Sequence, residues 1–167
     1  TAQGLVAVSE TTEAAIRGLL GRCNTLSLAT CDNNTPWAAS VFFVADQDLA
    51  LYFISASSSR HSRNADSNPR VAATINGEHS DWLEISGLQL EGTLCLAQAS
   101  QRERILGLYL DKFPQLARLQ EQPRHDQEKL IAERLLSGDF YQLNPRTIRL
   151  IDNSRGFGFK QEMRLSE

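Results

Sequence analysis

The sequence predicts a mainly β fold with flanking helices: a small antiparallel barrel carrying a helical insert. Three observations predict it. Short runs that alternate apolar and polar residues follow one another, separated by turn residues, which is the pattern of consecutive hairpins. Helical segments are few: one at the N-terminal end, a short one among the strands, and an insert at about 100–137. The 167 residues, 41% of them apolar and 22% charged, suit one domain over 1–167, because a chain of this size buries roughly 70% of its unfolded surface in a single core.

The elements follow in order. Ser9 to Arg22 reads as a helix, with Ser9 as N-cap, Ala15, Ile16, Leu19 and Leu20 on one face, and Gly21 near its end. From Thr25 the period becomes two: Leu26, Leu28 and Thr30 alternate with Ser27 and Ala29, and Asp32-Asn33-Asn34-Thr35-Pro36 marks a turn. Trp37 to Val44 and Leu49 to Ser55 are two further strands joined by the hairpin residues Ala45 to Asp48. Ser58 to Ser67 is a short helix that must stop before Pro69, since proline holds Asn68 away from helical geometry. Val71 to Ile75 resumes as a strand, Asn76-Gly77 turns, and Trp82 to Leu96 reads as one long strand bent or bulged at Gly87 and Gly92. Gln101 to Phe113 and Gln127 to Leu136 are helices, separated by a polar linker around Gln120 to Arg124 that contains Pro123. Phe140 to Ile151 is a strand interrupted at Asn144-Pro145, and a short β tail follows Gly156-Phe157-Gly158-Phe159.

Composition removes several functions. A formal charge of -3 argues against wholesale binding to a polyanion. No run of about 18 apolar residues suggests a membrane span, and Thr1 to Glu10 lacks the basic and apolar pattern of a secretory signal. Cys23, Cys31 and Cys95 are an odd count without C-x-x-C spacing, so neither a disulfide framework nor a zinc site is expected; a reducing cytoplasm is the simplest setting, with Cys23 and Cys31 buried as small hydrophobes. His79 and His125 have no second ligand at metal spacing, and no metal is assigned. No nucleophile elbow or distinctive carboxylate pair is present, which leaves hydrolase chemistry without a foothold. Trp37 and Trp82 lie on strand-like runs, where an aromatic is more often a core or interface residue than a ligand neighbour.

One segment carries chemistry. The strand Tyr52-Phe53-Ile54-Ser55 runs into Ala56-Ser57-Ser58-Ser59-Arg60-His61-Ser62-Arg63, placing hydroxyls, guanidinium groups and an imidazole where a helix begins. Unpaired N–H groups and the helix dipole favour an anion there, serine hydroxyls add donors, and arginine can bind a phosphate through two parallel hydrogen bonds. Composition alone favours a solvated turn over a phosphate site, by about two to one.

The order of residues adds to this. Ser59-Arg60-His61, followed after the short helix by Asn68-Pro69-Arg70-Val71, resembles the Ser-Arg-Lys and Asn-Pro-x-Val of the pyridoxamine 5'-phosphate oxidase-like FMN-binding split-barrel superfamily. Tyr52 to Ser55, Leu90-Glu91-Gly92 and Leu143-Asn144-Pro145-Arg146-Thr147-Ile148 are similar to further motifs of that superfamily in the same order. The resemblance implies a split β-barrel, a homodimer with flavin at the subunit interface, and FMN as cofactor of an oxidoreductase. It places Ser55, Ser58, Ser59, Arg60 and His61 around the phosphate, and Ser40, Val41, Phe42 and Phe43 along the flavin ring. His61 stands where lysine is usual, so phosphate affinity is expected to fall as pH rises. Ala39 and Val44 stand where the oxidases carry an Arg and a Lys, and Leu150 to Gly158 replaces their substrate segment, so oxidation of pyridoxamine phosphate is not expected. The Gly-Phe-Gly tail also resembles the superfamily's haem-utilisation branch, which keeps open a haem protein with His61, His79 or His125 on iron. A cofactor-free dimeric interaction module is the third alternative.

Overall fold

The computed structural model describes the backbone of residues 2–165 and the side chains of residues 12–165. Eight strands form one antiparallel sheet: β1 (Thr25–Asp32), β2 (Thr35–Phe42), β3 (Val44–Ala45), β4 (Leu51–Ser55), β5 (Arg70–Asn76), β6 (Ser86–Leu96), β7 (Asp139–Asp152) and β8 (Lys160–Arg164). The helices are α1 (Ala2–Arg22), α2 (Arg60–Ser67), α3 (Arg102–Lys112), α4 (Gln115–Glu121) and α5 (Asp126–Ser137).

The strand order is β2-β1-β5-β6-β7-β4-β3, with β8 beside β7. The two ends of that order are consecutive in sequence, so β2 and β3 are one extended run broken at Phe43. Its first part pairs with β1 from Thr25↔Phe42 to Asp32↔Thr35, and its last two residues pair with β4 through Val44↔Tyr52 and Ala45↔Leu51. One run therefore closes the barrel at one end and leaves it split at the other, between β2 and β4. At the break, the Phe43 N–H donates to the Asn24 carbonyl at 3.1 Å, and the Phe43 ring is fully buried.

Alternation sorts the side chains. On β1, Leu26, Leu28 and Thr30 point inward, as their spacing predicts. On β4, Leu51 and Phe53 enter the barrel core with Leu28, Ile75, Leu88 and Ile148, while Tyr52 faces the other way and packs with Ile105, Tyr109, Phe113 and Phe140. This strand is buried on both faces because the helical insert covers its outer side. Each such side chain contributes roughly 1.5–3 kcal/mol when taken out of water.

Several elements differ from the sequence expectation. The first helix begins at Ala2, so the Ser9 backbone lies within it and not at its start; the Ser9 side chain lies outside the described residues. The turn after β1 is tighter than expected: Asn33 and Asn34 take φ of 47° and 58°, and Thr35 and Pro36 already belong to β2. Asparagine tolerates those angles, and Pro36 is accommodated because β2 has an open edge. Trp82–Glu84 is a turn of 3-10 helix capped by the Asp81 carboxylate, so the long strand starts only at Ser86. Helix α4 occupies part of what reads as polar linker, with Leu116 and Leu119 on its inner face. Cys23 and Cys31 are half-buried rather than enclosed.

The bend expected at Gly92 is a register shift between Glu91 and Gly92, where a Cβ would stand 2.1 Å from the Asn144 carbonyl oxygen. Pro145 does not interrupt β7. It falls between the part of β7 that pairs with β4, ending at Leu143, and the part that pairs with β8, beginning at Thr147, where no strand on that side requires its N–H.

Candidate functional site

Helix α2 starts where β4 ends. Ser59 is its N-cap, in extended conformation, and the Ser59 hydroxyl accepts from the Ser62 N–H at 3.3 Å. The helix is anchored to β1 from below: the Asn64 amide donates to the Thr30 hydroxyl at 3.0 Å, and the Asn68 amide to the Cys31 carbonyl at 3.1 Å. Asn68 is extended ahead of Pro69 and ends the helix, as the proline predicts.

A compact polar cluster results. Ser55 Oγ lies 2.7 Å from His61 Nε2 and 3.1 Å from Ser59 Oγ; Ser59 Oγ lies 3.1 Å from the same imidazole nitrogen and donates to Ser62 Oγ at 2.7 Å. Burial pushes the His61 imidazole below its ordinary value, which leaves it neutral at pH 7. The free cluster is thus rich in hydroxyls and carries no charge of its own.

The split between β2 and β4 opens into a cavity of about 790 Å³, within the size range of cofactor sites. Ser40, Val41 and Phe42 of β2, Ser55 of β4, and Ser59 and His61 all line it. The remaining residues of the sequence expectation lie elsewhere. Phe43 is packed in the barrel core, with its N–H bonded to Asn24 and its carbonyl accepting from Lys112 Nζ at 3.1 Å, so neither its ring nor its backbone reaches the cavity. The Arg60 guanidinium stacks on the Trp37 ring, 4.3 Å from its centroid, outside the cavity lining. Ser58 is exposed, and its carbonyl accepts from Arg63.

The far wall comes from the helical insert, which residue spacing places as a flank without showing what it covers. Tyr109, Phe113, Leu116, Leu119, Ile131 and Leu135 supply an apolar face, with Arg134 beside them. Tyr109 is the keystone. Its hydroxyl reaches the carbonyls of Phe42 at 3.0 Å and Tyr52 at 3.3 Å, joining the two sides of the split, and burial pushes its phenol well above the ordinary range. Lys112, one turn on, donates to the carbonyls of Leu20, Cys23 and Phe43 at 2.9, 2.7 and 3.1 Å and sits 3.9 Å over the Phe43 ring. The helical spacing of Leu116 with Leu119 and of Leu130-Ile131 with Leu135 is the sequence signal for this wall.

With that geometry in place, the matched segment is decisive: residues 12–136 match the pyridoxamine 5'-phosphate oxidase family. The chain belongs to that family. Among relatives, a UPF0306 protein from Klebsiella pneumoniae (strain 342) is 27% identical over 154 residues, covering 92% of this chain and 93% of that one. Among solved structures, a putative pyridoxamine 5'-phosphate oxidase from Listeria innocua superposes with a TM-score of 0.62 at 22% identity, covering 86% of this chain and 99% of that one. HutZ, the heme storage protein from Vibrio cholerae, superposes with a TM-score of 0.61 at 17% identity, covering 80% of this chain and 89% of that one. These structural likenesses carry the split-barrel fold of this pyridoxamine 5'-phosphate oxidase family member. They say nothing of its ligand.

The family site tolerates the group that the resemblance implies. A helix N-terminus with Ser59, Ser55 and His61 at one end suits a phosphate, and the apolar slab between β2 and the insert suits a flat ring. Among the described residues strand β2 pairs with β1 alone, so its outer edge offers backbone groups to the ring's polar rim.

Proposed function

We propose that this pyridoxamine 5'-phosphate oxidase family chain is an FMN-binding flavoprotein that serves as a flavin-dependent oxidoreductase, acting on a substrate other than pyridoxamine phosphate. The observation that carries this reading is convergence: Ser40, Val41 and Phe42 from one strand and Ser55, Ser59 and His61 from the next strand and helix line a single cavity. Bound FMN would supply the redox chemistry. The chain supplies the rest. Ser55, Ser59, the first N–H groups of α2 and protonated His61 hold the phosphate; Arg60 adds positive potential at the rim; the β2 edge orients the ring; and Phe113, Leu116 and Leu119 keep water from its face.

Functioning as a homodimer with flavin at the interface fits the rim, where Trp37 is 40% and Phe42 61% exposed, an apolar border that a second copy would cover. A cytoplasmic setting fits the three free cysteines. Among the described residues, no helix is long and apolar enough to cross a membrane.

The test is direct. Freshly purified protein is expected to carry a flavin spectrum or, if it is isolated empty, to bind FMN at least tenfold more tightly than riboflavin, because a charge-assisted phosphate contact is worth about 1.5–3 kcal/mol. Equal affinity for the two would remove the phosphate from the cluster.

A second reading, haem in the same cavity, is supported by His61, the histidine that lines it. His79 bonds Ser86 at 3.0 Å and His125 caps α5, both away from the cavity. A Soret band in place of a flavin spectrum, lost in His61→Ala, would establish it.

A further inference from the structure

The flavin reading leaves a charge problem. A phosphate monoester carries about two negative charges at neutral pH, and the cluster offers hydroxyls and one imidazole, which even when protonated by the bound phosphate offsets only one of them. The two nearby arginines of α2 are occupied: Arg60 lies on Trp37, and Arg63 bonds the Ser58 carbonyl.

Across the cavity stands Arg134, from the last turns of α5. It lines the same cavity as Ser55, Ser59 and His61, and its guanidinium has no hydrogen bond, ion pair or ring contact among the described residues. No carboxylate lines this cavity among the described residues, so nothing there competes for it. Its position is set by the fold. A Cβ on Gly138 would stand 2.5 Å from the Arg134 carbonyl oxygen and 2.9 Å from Ile54 Cγ2, so this end of α5 rests on the residue preceding Ser55, and Asp139 then pairs with Ser55 itself. Arg102 holds the exposed carbonyls at this helix end, donating to Leu135 at 2.9 Å and Gly138 at 2.8 Å, which frees Arg134 from capping.

The geometry points to Arg134 as the cation that pairs with the ligand's phosphate, delivered to the cavity by the helical insert. This rests on the flavin reading only for the molecule that carries the phosphate. The insert is then part of the binding site, and the phosphate is gripped from two elements remote in sequence. A guanidinium can make two parallel hydrogen bonds to phosphate oxygens, which the histidine that replaces lysine cannot.

The experiment is a titration of the full chain and of Arg134→Gln and Arg134→Lys with FMN and with riboflavin. Arg134→Gln is expected to lose more than about tenfold in FMN affinity with riboflavin binding unchanged, and Arg134→Lys to recover much of the loss. Thermal midpoints should match across the three proteins, since the side chain has no partner among the described residues. Unchanged FMN affinity in Arg134→Gln, or equal losses for FMN and riboflavin, would overturn the assignment. If the unmodified chain binds neither flavin, the flavin reading fails, and 1-naphthyl phosphate against 1-naphthol becomes the probe pair. Preference for the phosphate that disappears in Arg134→Gln then upholds Arg134; no preference, or one that survives the substitution, overturns it.

Discussion

His61 is held in its neutral form by what surrounds it. Its Nε2 is shared between Ser55 and Ser59, and burial lowers its proton affinity below the ordinary value near 6.5. The unfolded chain therefore binds this proton more readily than the folded one. Stability is undiminished above the unfolded value and is lost as pH falls through it toward the lower folded value. A bound phosphate reverses the preference, since it stabilises the imidazolium, so binding takes up a proton. FMN affinity is expected to rise as pH falls from about 8 toward 5 and to level off once the imidazole is protonated in the free protein; titration of the chain and of His61→Ala across that range checks it, the variant showing a flatter profile. Arg60 is a different case. The sequence order alone predicts a loss of more than about tenfold in Arg60→Ala, whereas a guanidinium stacked on Trp37 outside the lining predicts a loss below about tenfold, and an FMN titration separates the two.

At the scale of elements, the helical insert owes its place to a few contacts that join distant segments. Lys112 satisfies three buried carbonyls from α1, the segment before β1 and the break at Phe43. Desolvation brings its ammonium down to about 8, which still leaves it charged at neutral pH. Lys112→Met keeps the apolar stem and strands the three acceptors; it is expected to destabilise the fold by about 2–4 kcal/mol, read as a lower denaturation midpoint at unchanged slope. Between α4 and α5, the Arg118 guanidinium holds the Glu128 carboxyl down to about 2, with help from the Arg124 N–H at 2.7 Å. A carboxylate lowered in this way stabilises the folded state above its unfolded value, and the contribution is lost as pH falls through the folded value. Hydrogen-exchange protection factors in α4–α5, taken against the intrinsic rate at each pH, should therefore fall between about pH 4.5 and 2, and Glu128→Gln should show the lower protection already at neutral pH. Helix α2 was legible in the sequence because its stop at Asn68-Pro69 is local, while its N-cap at Ser59 was fixed only by the structure. Helix α4 was not, because its polar outer face reads as linker and its inner residues declare themselves only against Phe113 and α5. The turn at Trp82–Glu84 escaped for a similar reason, since Trp82 and Leu83 look like strand residues but are 74% and 60% exposed.

For the whole molecule, closure depends on one run of chain serving both sheet edges, bent at Phe43 and bridged by the Tyr109 hydroxyl. The cavity is the opening that this closure leaves. A homodimer that seals it should sediment as a dimer, and Phe42→Glu, which places a charge on the exposed apolar rim, should shift the equilibrium toward monomer and weaken FMN binding together. A variant that remains fully dimeric would place the interface elsewhere. The sequence by itself determined the antiparallel strands and the short helix near Ser58 to Ser67 with its stop before Pro69, because alternation and proline geometry act over a few neighbouring residues. It also ordered the motifs that mark the family. Only the tertiary structure decided that Phe43 belongs to the core, that Arg60 leans on Trp37, and that Arg134 of the insert lines the same cavity as Ser59. Those placements depend on contacts between residues tens of positions apart, which follow from how the barrel closes and leave no local trace in the chain.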